Sequence, residues 1–60
     1  MSHYHSDEEI QQLAMDLISD REQDMKDTQD VKWYTAELDE DEETQSRVYV
    51  EVVWLLGLNR

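Results

Sequence analysis

The sequence predicts a small α+β domain, an N-terminal helix followed by an antiparallel β-hairpin in the order αββ, which dimerises through its strands. Three observations predict it. Apolar residues recur with a helical period over residues 10–25, two later stretches are rich in β-branched and aromatic residues, and an unbroken acidic block separates those stretches.

Residues 1–5 read as a flexible arm ahead of a single domain over residues 6–60. Ser6 and Glu9 form an S-x-x-E capping box, and Asp7 and Glu8 add carboxylates where the helix dipole favours them, so a helix begins at Asp7. Ile10, Leu13, Ala14, Leu17, Ile18 and Met25 follow at spacings of three, four and seven, the period of one buried helical face. Arg21 falls within that stripe; its stem suits a place across the core while its guanidinium reaches outward to Asp24. Met15 sits off the stripe and reads as a packing filler.

The helical pattern fades near Asp27, and residues 28–30 form a short polar connection. Val31, Trp33, Tyr34 and Thr35 make residues 31–38 a first strand, with Trp33 and Tyr34 on opposite faces so that one is buried. Residues 47–56 alternate, which puts Val48, Val50, Val52, Trp54 and Leu56 on one side of a second strand and Trp54 in the core. Between the two, Asp39, Glu40, Asp41, Glu42 and Glu43 precede Thr44, Gln45 and Ser46, and such a charge run reads as a solvated turn.

A helix covers one face of a two-stranded sheet. The other face would carry Tyr49, Val53 and Leu55 with Trp33 or Tyr34, and the second strand would be a long hydrophobic edge without Pro or Lys. An isolated hairpin is marginal in water. These considerations predict a homodimer with Trp33, Tyr49, Val53 and Leu55 at its interface.

A chain of 60 residues buries only about 60% of the surface its unfolded form exposes, so a roomy catalytic cleft is not expected. With no Cys, neither disulfides nor thiolate zinc sites supplement the core. Residues 1–5 have no basic n-region and no apolar segment follows them, while the longest apolar run, residues 52–56, falls far short of the roughly 20 residues that span a bilayer. The expectation is a cytoplasmic protein that does not engage membranes.

The formal charge of -11, from 16 Asp and Glu against 5 Lys and Arg, disfavours direct binding to nucleic acid and favours a basic partner protein. The bland alternative is that this charge only confers solubility. At 100° per residue, Glu9, Asp16, Asp20, Asp24 and Asp27 gather along one flank of the expected helix. Members four apart rise about 6 Å, a spacing comparable with that of neighbouring phosphates on a nucleic-acid strand. Like charges so placed cost a few tenths of a kcal/mol per pair, which suggests that the ridge has a use. The ridge and the block Asp39, Glu40, Asp41, Glu42 and Glu43 together form the candidate partner-binding site.

Catalysis is not expected. There is no G-x-S-x-G turn, and Gly57, the only glycine, excludes the P-loop and dinucleotide fingerprints. General acid chemistry needs a carboxyl in a dry pocket, and these carboxylates fall on exposed faces. His3 and His5 with Asp7 could ligate a transition metal only by ordering the arm, so no metal site is expected, nor any cofactor. Asp39, Asp41 and Glu43 look like the opening of a calcium loop, but Thr44 and Val50 stand where that loop needs Gly and Glu.

In size, charge and lack of catalytic motifs the chain resembles the small acidic proteins that bacteriophages and mobile elements encode to inhibit host nucleic-acid enzymes, some of which are DNA mimics. The resemblance covers no aligned motif, so it assigns no residue a role. The expected function is a small acidic inhibitor or regulator that docks its carboxylates into the basic groove of a nucleic-acid-binding enzyme. The competing expectation is a structural or regulatory interaction module that acts through its aromatic strand surface.

Overall fold

Three helix N-caps set the architecture. The computed structural model describes residues 6–58, and these form helix α1 (Asp7–Arg21), a short 3-10 turn (Glu22–Asp24), helix α2 (Thr28–Ala36) and helix α3 (Glu42–Leu56). Among the described residues there is no strand, so the α+β hairpin expected from sequence is replaced by a small all-α fold. The expected arm, residues 1–5 with His3 and His5, lies outside the described residues, as do residues 59–60.

The start of α1 is as the capping box dictates: Ser6 Oγ accepts from the Glu9 N–H at 3.2 Å, and Glu9 Oε1 accepts from the Ser6 N–H at 3.1 Å. The helix stops at Arg21, earlier than the apolar stripe suggested. Two carboxylates hold backbone N–H groups in the linker that follows and at the start of α2: Asp30 accepts from Lys26 at 3.0 Å, and Asp27 accepts from Asp30 at 3.1 Å. Such local side-chain bonds compete with helix continuation. Met25, expected as the last residue of the helical stripe, is buried from this extended linker instead.

Asp27 is the N-cap of α2, on which Val31 and Thr35 are buried and Tyr34 half-buried, and Leu38 just beyond the helix is half-buried too. That set follows the helical spacing, and Trp33 is left outside at 68% exposure. The carbonyls at the end of α2 find a donor from another helix: Gln45 Nε2 donates to Leu38 at 2.8 Å and to Ala36 at 3.3 Å. This contact ties α2 to the first turn of α3.

Asp41 caps α3, accepting from the Thr44 N–H at 3.0 Å, and Glu42 and Glu43 occupy the first turn. The acidic block is thus a short link between two helices and the start of the second, and not a turn between strands. The alternation of residues 47–56 is resolved in the same way. Val48 and Val52 are fully buried, but Val50 and Trp54 are 52% and 66% exposed, so the four residues do not share a face. Valines at positions 48 and 52 satisfy an i, i+4 spacing as well as an alternating one, and Val53 and Leu56 complete a helical stripe that the sheet reading splits between two faces. β-branched residues lose only a few tenths of a kcal/mol each in a helix, which burial outweighs.

Gly57 ends α3 at φ 71° and ψ 30°. Its N–H donates to Trp54, and the Leu58 N–H returns to the Val53 carbonyl at 2.9 Å, the pair of bonds that defines a Schellman turn. A Cβ at this position would meet nothing within 4 Å, so the cost of Gly57→Ala is the left-handed backbone alone. We expect a loss of about 1–2 kcal/mol by urea denaturation, with the folded helical content unchanged.

Both α1 and α2 lie against α3, which makes α3 the centre of the domain. The core comprises Ile10, Ala14, Met25, Val31, Val48, Val52 and Val53, ringed by residues including Leu13, Leu17, Ile18, Tyr34 and Tyr49. The expected dimer depended on an unpaired strand edge, and the described residues contain none. Of the side chains assigned to that interface, Val53 is buried, Tyr49 rests partly on the core, and Trp33 and Leu55 are exposed.

Candidate docking surface

The carboxylates expected to bind a partner fall into three structural settings. Glu9, Asp16 and Asp20 lie on α1, within about 40° of one another around its axis, and all three are exposed. Asp24 lies in the 3-10 turn and Asp27 at the α2 N-cap, both exposed, so the ridge leaves the helix after Arg21. Asp39 and Glu40 form the connection before the α3 cap, and Asp41, Glu42 and Glu43 begin α3; Glu40 is half-buried and the rest are exposed.

Several of these acids have work within the fold. Glu9 closes the capping box, and Asp27 and Asp41 cap helices through an oxygen that accepts one N–H each. Asp16 accepts from Gln12 Nε2 at 3.0 Å, and Asp20 lies 3.4 Å from Arg21 Nε in a solvent-exposed pair. Such a bond leaves a carboxylate its charge, and an exposed pair contributes little. Arg47 meets Asp7 at 2.8 Å, bracing the start of α1 against α3. The guanidinium of Arg21 takes a course that sequence did not predict: it lies over the Tyr34 ring, 5.7 Å from the centroid, and pairs with Asp20 instead of Asp24.

Aromatic and aliphatic exposure is the second feature. Trp33 on α2 and Trp54, Val50 and Leu55 on α3 are exposed, as is Met15 on α1, which therefore fills no gap in the core. The Trp54 placement overturns its expected core role. The Trp33 indole is fixed by donation of Nε1–H to Glu37 Oε2 at 2.9 Å, a contact between residues four apart that only a helix permits. A W-x-x-x-E spacing is the sequence signal for it.

The other expectations bear on chemistry. Among the described residues no group of three or more His, Cys, Asp or Glu is arranged to hold a metal ion. Among the same described residues no helix is long and apolar enough to cross a membrane. No family model matches the sequence, and comparison with curated proteins and with solved structures also yields no match.

Proposed function

We propose that the chain is a small acidic inhibitor or regulator that places its carboxylates in the basic groove of a nucleic-acid-binding protein, in the manner of a nucleic-acid mimic. The observation that carries this reading is the exposed carboxylate face of α1, Glu9, Asp16 and Asp20, continued by Asp24 beyond the helix, on a chain of charge -11. Asp16 and Asp20 rise about 6 Å apart on a rigid element, a fixed presentation that a flexible acidic tail lacks. The reading requires no enzyme activity and no cofactor, and it places the protein in the cytoplasm with its target.

The test is capture of basic proteins from a lysate on immobilised wild-type chain and on the triple variant Asp16→Asn, Asp20→Asn, Asp24→Asn. Wild type should retain a nucleic-acid-binding protein that added DNA displaces, and the folded triple variant should lose at least about ten-fold in affinity, the scale of removing several charge-assisted contacts. Undiminished capture by the triple variant would remove the α1 face from consideration.

A second reading is favoured by the exposure of Trp33 and Trp54: an interaction module that works through a helical aromatic surface, with the charge serving solubility. Salt separates the two. Mimicry predicts affinity that drops steeply as ionic strength rises, whereas an apolar contact changes little.

A further inference from the structure

An open cleft of about 410 Å³ lies where α1 gives way to α2, lined by Arg21, Asp24, Asp30, Trp33, Tyr34 and Glu37. Three carboxylates against one guanidinium leave it an excess of two negative charges. Among the described residues, Asp24 makes no ion pair and no side-chain hydrogen bond, and Arg21 is turned to Asp20 and Tyr34. The cleft also has aromatic walls. Trp33 is 68% exposed, and its N–H is already used on Glu37, which holds the ring in place while leaving its π face without a hydrogen-bonding role.

Arg21 shows what such walls accept, because its guanidinium rests on Tyr34 within this same cleft. Cations stack most favourably on tryptophan, which is the ring left exposed. Guanidinium suits the place better than ammonium, being planar, weakly hydrated and able to meet a carboxylate with two N–H groups while stacking. We propose that the cleft receives an arginine side chain of the partner, its guanidinium lying on the Trp33 indole and meeting the carboxylates of Asp24 and Glu37. This rests on the reading of a basic partner and names the anchor by which that partner is held.

Hexa-arginine and hexa-lysine serve as probes, titrated into isotope-labelled protein and followed by nuclear magnetic resonance. The indole N–H signals of Trp33 and Trp54, assigned with Trp33→Leu, report separately on the cleft and on α3. Hexa-arginine should move the Trp33 indole signal and leave that of Trp54 in place, and Trp33→Leu should weaken hexa-arginine binding roughly two- to five-fold while affecting hexa-lysine less. If only the α1 amides move, or if Trp33→Leu binds hexa-arginine as wild type does, the cleft is not the anchor although the acidic-face reading survives. If no signal moves with either peptide, both proposals fail together.

Discussion

Val52→Asp should unfold the protein, while Val50→Asp should leave it folded. Val52 is completely buried between α3 and its neighbours, whereas Val50 is 52% exposed. Removing the valine forfeits about 1.5–3 kcal/mol of burial. An unpaired carboxylate in its place costs several kcal/mol more, or forces water into the core. A domain of this length has about 3–9 kcal/mol of stability in total, so the sum exceeds or exhausts it. At position 50 the new carboxylate stays in water, and the expected change is within about 0.5 kcal/mol. Far-ultraviolet circular dichroism and chemical denaturation read both. The contrast also discriminates between folds: on a strand the two positions share a face and should respond alike.

Replacing both Asp27 and Asp41 by Ala should lower stability by about 2 kcal/mol, a large share of the total, because each carboxylate satisfies an N–H at a helix start and an N-cap loss costs about 1 kcal/mol. The two caps serve different helices, so their effects should add. The Asn pair is the informative control. Asn caps about as well as Asp, so Asp27→Asn with Asp41→Asn should keep nearly all the stability while removing two negative charges. Urea midpoints of the two double variants measure the folding role, and capture of a basic protein by the Asn pair measures the binding role. Equal destabilisation by Ala and Asn would mean that charge at the helix dipole matters more than the accepted hydrogen bond.

These caps explain how far the fold was legible. Ser6 with Glu9 marks a helix start in the sequence, and Asp27 with Asp30 and Asp41 with Thr44 have the same three-residue spacing, although their polar and acidic surroundings predict a connection and a turn. The β-branched and aromatic content of residues 31–38 and 47–56 favoured strands, and that preference is small compared with burial. A helical spacing pairs Val31 with Thr35 and Val48 with Val52, and all four are buried. Trp54 departs from expectation for a related reason, since large aromatics usually enter a core and this one remains outside. The candidate site was legible in part. The α1 carboxylates are exposed as expected, but the cleft beside Trp33 depends on α2 being a helix and on Arg21 turning to Tyr34, neither of which local patterning shows.

Sequence alone determined the charge, the absence of cysteine and of glycine-rich phosphate loops, the capped start of α1 and the apolar stripe of Ile10, Ala14 and Leu17. Those properties are local or additive, and no distant contact alters them. Tertiary structure decided whether residues 31–38 and 47–56 became helix or strand, which valines were buried and which aromatics faced water. The physical reason is that Val48 and Val52 fit either period until α1 and α2 cover one side of α3, where Val53 joins them; the apolar area removed from water there outweighs the weak backbone preference of each residue.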